Sequence, residues 1–403
     1  MPDMLDPGPS PVPDSSRLLE SARLLHPRLV DLRRRIHEEP ELGLQTPRTR
    51  AKILSELADL DLELTLHEKT SGIVAVLRGA RAGRSMLLRG DMDALPVPED
   101  TGLPFSSKTP DRMHACGHDA HASMLAGAAR LLAGRRAQLA GDVVFMFQPG
   151  EEGSGGGAKM LEEGIPDVDG AFALHVAPQI PTGMIGTKPG AIMASFDDFA
   201  VEIRGRGGHA SMPHDCIDPV PVACEIVTAL QSFVTREIPA TDPGVLTVTQ
   251  LQAGTAVNVI ADSAQLKGTM RTLSDRTRAR MLDGLMRICT GIARAHRAEA
   301  DVEIMAGYPV AVNDEGFEEF VREVAGELLG PQAVLDLPVP LMGAEDFSYV
   351  LERTPGAITL LGVRAPETTN PAPCHSSQMR LDEQAMVLGS ALHAAVAMRF
   401  LSG

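Results

Sequence analysis

The chain has 403 residues, 44% of them hydrophobic and 22% charged, and a formal net charge of −16 at pH 7. This length favours two domains over one, and the composition is typical of a soluble globular protein. The negative charge argues against nucleic-acid binding, which usually needs a basic face, and we find no run of about 18 apolar residues that would predict a membrane span. The odd, irregularly spaced set of five cysteines favours a reducing compartment over a disulfide framework.

The N-terminal segment predicts a disordered lead-in. Residues 1–15 are rich in Pro, Asp and Ser, and they lack the basic and then apolar pattern of a secretory signal. We therefore expect the ordered chain to begin near residue 16 and the protein to be cytoplasmic.

Helical and buried-strand patterns alternate along the first half of the chain. Helical spacing of apolar residues predicts two helices before the first short apolar runs and two more between later ones. Such short runs are typical of strands buried on both faces. The predicted helices cover residues 16–38, 46–58, 119–133 and 157–163, and the predicted strands cover 72–77, 85–88, 142–147 and 171–174. This alternation predicts an α/β layer with a largely parallel sheet.

A different pattern begins near residue 194, where apolar and polar residues alternate as in half-exposed strands. The predicted strands are 199–203, 246–251, 265–271 and 301–305, with helices at 219–235 and 275–298. Their order, strand–helix–strand–strand–helix–strand, favours a small ferredoxin-like unit.

The buried-strand pattern returns after residue 313, with helices predicted at 315–329 and 382–400 and a strand at 357–361. The simplest architecture is an α/β domain, residues 16–190 and 310–403, interrupted by an inserted α+β domain, residues 191–309.

The densest group of reactive side chains lies in residues 114–121, which contain three histidines, one cysteine and one aspartate. Imidazole, thiolate and carboxylate are ligands of transition metals. Gly117 would allow a tight turn through which Cys116 and His118 converge on one point. The alternative is a helix N-terminus capped by Asp119, with the histidines as surface polar groups. The number of ligand types in so short a segment favours a metal site.

Carboxylates follow two of the predicted buried strands, where open α/β sheets place their ligand sites. Glu151 and Glu152 follow the strand at 142–147, and Asp91 and Asp93 follow that at 85–88. One Glu could bind a metal while its neighbour acts as a base, and an Asp could orient a metal-bound histidine. The alternatives are a solvated acidic loop and an ordinary turn.

Single histidines and two further polar residues complete the candidate set. His175 and His375 follow predicted buried strands, which makes both candidate ligands, although each alone would more often be structural. His209 lies in a glycine-rich turn that matches neither the dinucleotide-binding nor the P-loop spacing. Together with Asn258 and Arg271, it would suit a carboxylate and a developing oxyanion. The alternatives are an exposed turn histidine and a surface ion pair of Arg271.

These segments resemble the M20 metallopeptidase family, and within it the amidohydrolase branch of hippurate hydrolases, N-acyl-amino-acid amidohydrolases and auxin-conjugate hydrolases. The resemblance extends from residue 32 to the C-terminus. The matching motifs are residues 90–96, 114–121, 148–153, 174–176, 207–211, 254–258, 343–347 and 374–376.

The resemblance implies a metal-dependent exopeptidase-like catalytic domain with two divalent metal ions, and an inserted lid domain through which a homodimer often forms. Glu151 would be the general base that activates a metal-bridging water. Asp93 would be a carboxylate that contacts a ligand side chain rather than the metal. His209 would stabilise the oxyanion, and Asn258 and Arg271 would contact the substrate carboxylate. Manganese, zinc, cobalt and nickel all suit such a site. The metal ligands would be Cys116, His118, Glu152, His175 and His375.

The expected reaction is hydrolysis of the amide bond of an N-acyl amino acid, hippurate-like or N-acetylated, to a carboxylic acid and an amino acid. Two alternatives share the fold: an N-acetyl-diaminopimelate-type deacetylase and a dinuclear dipeptidase or aminopeptidase. The Cys-Gly-His segment, in place of one with a bridging Asp, favours the amidohydrolase branch. A non-catalytic metal-binding protein would lack a base or a ligand, yet every expected position is filled.

The sequence departs from the family pattern around His375. Ser377 stands where many relatives have proline, and Cys374 directly precedes the predicted ligand. The thiol of Cys374 could compete for metal or be oxidised.

Overall fold

The computed structural model describes residues 15–402. The predicted disordered lead-in thus lies outside the described residues, except for Ser15, with which the first helix begins. Within the described residues the helices are α1 (Ser15–His37), α2 (Pro47–Leu57), α3 (His118–Ala133), α4 (Gly156–Glu163), α5 (Pro219–Glu237), α6 (Asp275–Ala295), α7 (Glu315–Leu329), α8 (Ser348–Leu351) and α9 (Ala385–Ser402). The strands are β1 (Glu63–Leu66), β2 (Ile73–Leu77), β3 (Arg81–Asp91), β4 (Ala140–Gln148), β5 (Gly170–Pro181), β6 (Ile185–Thr187), β7 (Gly190–Met193), β8 (Ser195–Arg204), β9 (Gly208–His209), β10 (Gly244–Ala253), β11 (Val259–Ile260), β12 (Ser263–Thr272), β13 (Glu299–Ala306), β14 (Ala311–Asn313), β15 (Val334–Asp336) and β16 (Gly356–Arg364).

The chain divides into two compact units. Unit 1 contains the chain up to Ile192, residues Val312–Val339 and the chain from Tyr349, and unit 2 contains Met193–Ala311 and Pro340–Ser348. The last of these segments differs from the sequence-based boundaries, which placed residues 340–348 with the first domain. The physical reason is local hydrogen bonding, because the Ala194 amide donates to the carbonyl oxygens of Leu341 and Gly343 at 3.1 and 2.9 Å.

Unit 1 is built on an eight-stranded sheet in the order β1-β2-β4-β3-β5-β16-β6-β15. The central neighbours β4, β3, β5 and β16 are parallel. On one side β2 pairs antiparallel with both β4 and β1, and on the other β6 runs antiparallel to β16. All five residues of β2 and the last six of β3 are buried, as expected for strands covered on both faces. The predicted α/β fold with a largely parallel sheet is therefore confirmed.

Helices α1, α3 and α9 pack against one another over the sheet of unit 1. Of the described helices, only α9 is long and apolar enough to cross a membrane by length and composition, which corrects our expectation that no such run exists. In this structure 83% of that apolar window is buried inside the protein. The helix is apolar all round because it lies in a core, with α3 and the sheet around it.

Unit 2 has a four-stranded antiparallel sheet in the order β10-β12-β8-β13. Burial alternates along β8 and β12, and the buried side chains face α5 and α6. Residues of both helices and of the sheet together form a separate hydrophobic core. The predicted order of strands and helices is observed, together with a two-stranded ribbon of β9 and β11 that the sequence patterns did not indicate.

Candidate active site

The carboxyl ends of neighbouring parallel strands bring the candidate residues of unit 1 together. Asp91, the last residue of β3, pairs in register with Gln148, the last residue of β4. Glu151 and Glu152 follow directly after β4. His175 lies inside β5, which continues to Pro181, rather than after a strand as the apolar run had suggested.

The turn before α3 places Cys116 and His118 at the same edge of the sheet. Gly117 has a φ of 83°, a left-handed conformation that L side chains rarely adopt, and a Cβ there would lie 2.5 Å from Cγ2 of Val176. This close approach of the turn to β5 leaves Sγ of Cys116 3.4 Å from Nε2 of His175. Gly117 therefore fits the role that its position in the sequence predicted.

Two groups of ligand atoms share Cys116. Within each group, one nitrogen, sulfur or oxygen atom from every residue lies within 4.8 Å of the others. The first group is Cys116, His118 and His175, and the second is Cys116, Glu152 and His375. In the second group, Nε2 of His375 is 3.3 Å from Oε1 of Glu152. The structure thus brings together all five side chains that the family resemblance suggested as ligands.

The His375 segment is held by its backbone. The amide of His375 donates to the carbonyl oxygen of Ala115 at 2.8 Å, and His375 has a φ of 69°. A non-glycine residue in this left-handed region is uncommon and often marks a functional segment. Its imidazole remains more than half exposed, with 56% of the side chain accessible.

The polar atoms at this site fit a cation. Both ring nitrogens of His118 and Oε1 of Glu152 are buried, and none of them makes a well-aligned hydrogen bond within residues 15–402, although Asp93 and His375 lie close by. Buried polar groups normally have hydrogen-bond partners. Imidazole, thiolate and carboxylate donors that point at one another without such partners are typical of a transition-metal site.

Asp93 supports the loop that carries the two glutamates. Its carboxylate oxygens accept hydrogen bonds from the backbone amides of Glu151 and Glu152, at 3.0 and 3.1 Å. One of these oxygens also lies 3.5 Å from Nδ1 of His118. Glu151 is 6% exposed, and one of its oxygens lies within 4.8 Å of ligand atoms of His118 and Glu152.

A buried network lies next to the ligands and contains Asp91 and His121, which the sequence analysis named as candidates, together with Arg89, which it did not. Nδ1 of His121 is 2.6 Å from Oδ1 of Asp91, and Nε2 of His121 accepts the backbone amide hydrogen of Val176 at 2.9 Å. Burial lowers the pKa of His121 to about 4, so the ring is neutral and donates through Nδ1 to Asp91. Arg89 donates to the second oxygen of Asp91 at 2.6 Å. This network fixes the backbone directly after His175.

Asp119 connects the first turn of α3 to α1, instead of capping its own helix as the alternative interpretation suggested. Its Oδ2 accepts from Arg33 at 3.0 Å and lies 2.8 Å from Nδ1 of His37. Burial opposes the charge on His37, but attraction to Asp119 and hydrogen bonds to Asp119 and Glu99 raise the pKa of His37 to about 9. His114 belongs to neither ligand group, and burial lowers its pKa to about 3.

Cys374 lies beside the shared ligand. Its thiol and that of Cys116 form a side-chain hydrogen bond, which lowers the pKa of Cys374 to about 6. The Cys374 Sγ is also 3.9 Å from the carbonyl oxygen of Val176. Cys374 belongs to neither group of ligand atoms.

The remaining candidates lie in unit 2. His209 pairs in register with Val259, and the amide of Ala210 donates to the carbonyl oxygen of Asn258 at 3.1 Å, so His209 and Asn258 share the β9–β11 ribbon. Both are exposed. Arg271 lies on β12, with its guanidinium 5.0 Å from the ring centroid of Phe196. It has no ion pair among the residues the structure describes, so the surface ion-pair alternative finds no support.

The fold and the two ligand groups define a hydrolase of the M20 type. The sequence matches the peptidase family M20/M25/M40 over residues 87–399, and the chain belongs to this family. The family resemblance and the predicted class, an enzyme that hydrolyses amide bonds, are confirmed.

Named relatives span nearly the full chain. An N-acetylcysteine deacetylase of Bacillus subtilis is 39% identical and aligns with 93% of this chain and 97% of its own length. An IAA-amino acid hydrolase, ILR1-like 4 of Arabidopsis thaliana, is 36% identical over 93% of this chain and 86% of its own length. A dinuclear metal binding peptidase of the M20 family from Bacillus subtilis has a crystal structure that superposes with a TM-score of 0.82, at 34% identity, over 94% of this chain and 99% of that one.

Proposed function

We propose that the protein is an amidohydrolase that uses two divalent metal ions to hydrolyse N-acyl amino acids. The observation that carries this proposal is the pair of ligand groups that share Cys116, with the buried carboxylate of Glu151 beside them. The deacetylase and IAA-amino acid hydrolase among the relatives, and the dinuclear metal site of the related crystal structure, support the same reaction class.

One ion would be held by Cys116, His118 and His175, and the other by Cys116, Glu152 and His375. When bound, two such ions polarise a carbonyl group and lower the pKa of an attacking water. The mixed set of one thiolate with imidazole and carboxylate ligands is compatible with zinc, manganese, cobalt or nickel, and affinity alone does not identify the metal used in the cell.

Glu151 is the general base in this proposal. Its side chain is buried close to the ligand atoms, where it can accept a proton from the attacking water and then deliver it to the nitrogen of the leaving amine. Asp93 keeps this carboxylate in place, because it binds the backbone amides of both Glu151 and Glu152. Neutral His121 and Asp91 hold the backbone after His175 in the same way.

We assign the polar contacts with the substrate to unit 2. Nδ1 of His209 accepts the amide hydrogen of Ser211 at 3.1 Å, so the proton of the neutral ring lies on Nε2. That N–H is suited to donate to the oxyanion that develops on the amide carbonyl. Asn258 and Arg271 provide an amide and a guanidinium for the free carboxylate of the amino acid.

We expect a cytoplasmic homodimer that forms through unit 2. All five cysteines are free thiols, which suits a reducing compartment. Apolar side chains of unit 2 that are exposed in the single chain, including Leu251, Val257 and Val259, suit a contact with a second copy. Light scattering of the purified protein would give the mass of the assembly.

The test starts from protein stripped of metal with a chelator. Hippurate and a series of N-acetyl amino acids are assayed before and after manganese, zinc, cobalt and nickel are added back, with free-amine dipeptides and N-acetyl-diaminopimelate in parallel. We expect activity on an acyl-amino acid to vanish with chelation and to return with at least one metal. If the protein binds metal but is active only on dipeptides, or only on the diaminopimelate derivative, that substrate class takes the place of N-acyl amino acids in the proposal. Absence of bound metal in a folded protein would contradict the proposal as a whole.

A further inference from the structure

Two of the five cysteines lie side by side in unit 1. The hydrogen bond from the amide of His375 to the carbonyl oxygen of Ala115, at 2.8 Å, joins the two backbone segments next to Cys374 and Cys116. Their thiols form a side-chain hydrogen bond with one another. The other three cysteines, Cys216, Cys224 and Cys289, all lie in unit 2. Within unit 1, each of the two thiols therefore has the other as its nearest partner for oxidation.

The two thiols differ in access to solvent. Cys116 is 7% exposed, whereas Cys374 is partly exposed in the same segment as the accessible imidazole of His375. A small oxidant can therefore reach Cys374 first, and the buried thiol of Cys116 is in place to react with the oxidised product. A partly exposed thiol next to a resolving cysteine is the usual arrangement of a redox-sensitive pair.

We propose that Cys116 and Cys374 form a reversible disulfide when the metal-free protein meets a hydroperoxide, and that this disulfide prevents metal binding. The disulfide rests only on the geometry of the two thiols. The effect on metal binding rests on the proposed function, in which Cys116 is a ligand in both groups.

The chemistry balances with hydrogen peroxide as the oxidant. The sulfur of Cys374 attacks one peroxide oxygen, the O–O bond breaks, and a sulfenic acid and one water form. The sulfur of Cys116 then attacks the sulfenic sulfur, the S–O bond breaks, and the second water leaves with the thiol proton. The two thiols lose two electrons in total, which reduce the peroxide, and a small dithiol reverses the reaction by thiol–disulfide exchange.

The disulfide would remove the one ligand that both groups share. A metal ligand must be a thiolate, and a disulfide sulfur carries no such charge. Each group would retain two of its three side chains, His118 and His175 in one and Glu152 and His375 in the other. Bound metal would in turn occupy the thiolate of Cys116, so the metal-loaded enzyme would resist this oxidation.

The experiment compares metal-stripped and metal-loaded enzyme after treatment with hydrogen peroxide. Thiols are counted in denaturant, cross-linked peptides are mapped by mass spectrometry without reduction, and metal content is measured after incubation with zinc or manganese. In the stripped enzyme we expect the count to fall from five thiols to three, with one peptide pair joined through residues 116 and 374. The affinity for metal should fall at least about tenfold, since changes even to residues that only support the ligands typically cost about 10- to 100-fold in affinity. Dithiothreitol should restore both values, and the metal-loaded enzyme should keep its thiols.

Cys374→Ser and Cys374→Ala remove the partner thiol, and Cys224→Ser is the matched control at an exposed cysteine of unit 2. Both changes at 374 should abolish the cross-link and preserve metal binding after peroxide, whereas Cys224→Ser should behave as the wild type. Thermal unfolding checks that each variant is folded.

Oxidised wild type without the 116–374 peptide would overturn the proposal, as would equal loss of metal binding in folded Cys374→Ser. A reduced enzyme that binds no metal although the cross-link forms would overturn the metal-binding half together with the proposed function. Metal binding and hydrolysis without the cross-link would overturn the disulfide and leave the proposed function intact.

Discussion

Glu151 and Glu152 are adjacent in the sequence, but their side chains have different surroundings. Oε1 of Glu152 lies 3.3 Å from Nε2 of His375 and belongs with Cys116 to one ligand group. Glu151 is in neither of the groups that share Cys116, although it lies near His118. Their backbone amides both bind Asp93, so a change of either side chain can leave the loop in place.

Replacing Glu151 with Gln should abolish most turnover and leave metal binding unchanged. Glutamine keeps the size of the side chain but cannot accept the proton, so we expect kcat to fall by about 10²- to 10⁴-fold. Steady-state kinetics combined with metal analysis measures both quantities.

Glu152→Gln is the matched control, and it should lose metal as well as activity. If metal content fell in Glu151→Gln as much as in Glu152→Gln, the roles of the two residues would have to be exchanged.

For single residues, the sequence predicts which side chains come together at the site but not the role of each one. The residue types in 114–121 and after the buried strands were enough to predict the site. They did not separate His118, which forms a group with Cys116 and His175, from His121, whose ring nitrogens contact Asp91 and Val176. That difference depends on which backbone groups surround each ring in three dimensions. The ligand roles themselves stay predictions until metal is measured.

Among the elements, the turn that leads into α3 imposes the tightest geometric requirement. Gly117 combines a left-handed backbone with close contact to β5, and the flanking residues are two of the candidate ligands. Gly183 has a φ of 97°, but a Cβ there would have no atom within 4 Å. A Cβ at Gly183 would therefore strain only the backbone, whereas a Cβ at Gly117 would strain the backbone and also collide with Val176.

Replacing Gly117 with Ala should destabilise the protein and displace Cys116 and His118. The left-handed backbone costs about 1–2 kcal/mol for an L side chain, and the contact with Val176 adds about 1–3 kcal/mol. Denaturant unfolding and metal analysis measure the two effects.

Gly183→Ala should lower the free energy of unfolding only by the cost of the left-handed backbone, about 1–2 kcal/mol. It should still bind metal. A Gly117→Ala protein as stable and as rich in metal as Gly183→Ala would show that the turn can move away from β5 without loss.

Long elements could be predicted closely, whereas the shortest ones could not. The predicted limits of α7 agree with the structure, since its apolar spacing extends over a full 15 residues. The β9–β11 ribbon has two residues on each side, too few to show any alternation. β5 is longer than predicted because its apolar run ends at Leu174 while its pairing with β16 continues to Pro181. Pairing with a distant strand leaves no mark on the local sequence.

For the whole molecule, a group of buried charges links segments that are distant in the chain. His37 of α1 contacts Asp119 of α3 and Glu99 of the connecting loop, and Arg33 binds the same Asp119. His37 and Asp119 are almost fully buried, so the stability of unit 1 depends on their charges. Neutral His114 is the other titratable group that packs against His37.

The free energy of unfolding should fall as the pH rises from about 6.5 to about 9. In the folded protein the pKa of His37 is raised to about 9 from the ordinary value of 6.5. The stabilisation that protonated His37 provides is thus complete below pH 6.5, and it is lost as the pH rises through the folded-state pKa of about 9. A shift of this size corresponds to about 3 kcal/mol. Urea unfolding at a series of pH values measures it.

His37→Gln should remove the part of this slope that His37 contributes, so the slope should become shallower by that amount. Glu99 and Asp119 have lowered pKa values and stay ionised throughout the window, so they do not contribute. His296→Gln, which changes an exposed histidine paired with Glu225 in unit 2, should leave the slope as in the wild type. If the free energy of unfolding of His37→Gln depended on pH as it does in the wild type, the pH dependence would have to come from another titratable group.

The position of β16 between β5 and β6 has a consequence for synthesis on the ribosome. β5 and β6 are translated early, but the strand that lies between them, Gly356–Arg364, emerges only after the whole of residues 193–311. At 5–20 residues per second, roughly 10–35 s pass between β6 and the end of β16. During that interval the nascent sheet carries open edges that can pair with other chains. Chaperone dependence and losses to aggregation should therefore be set by this delay, even though the finished protein keeps β16 well inside its sheet.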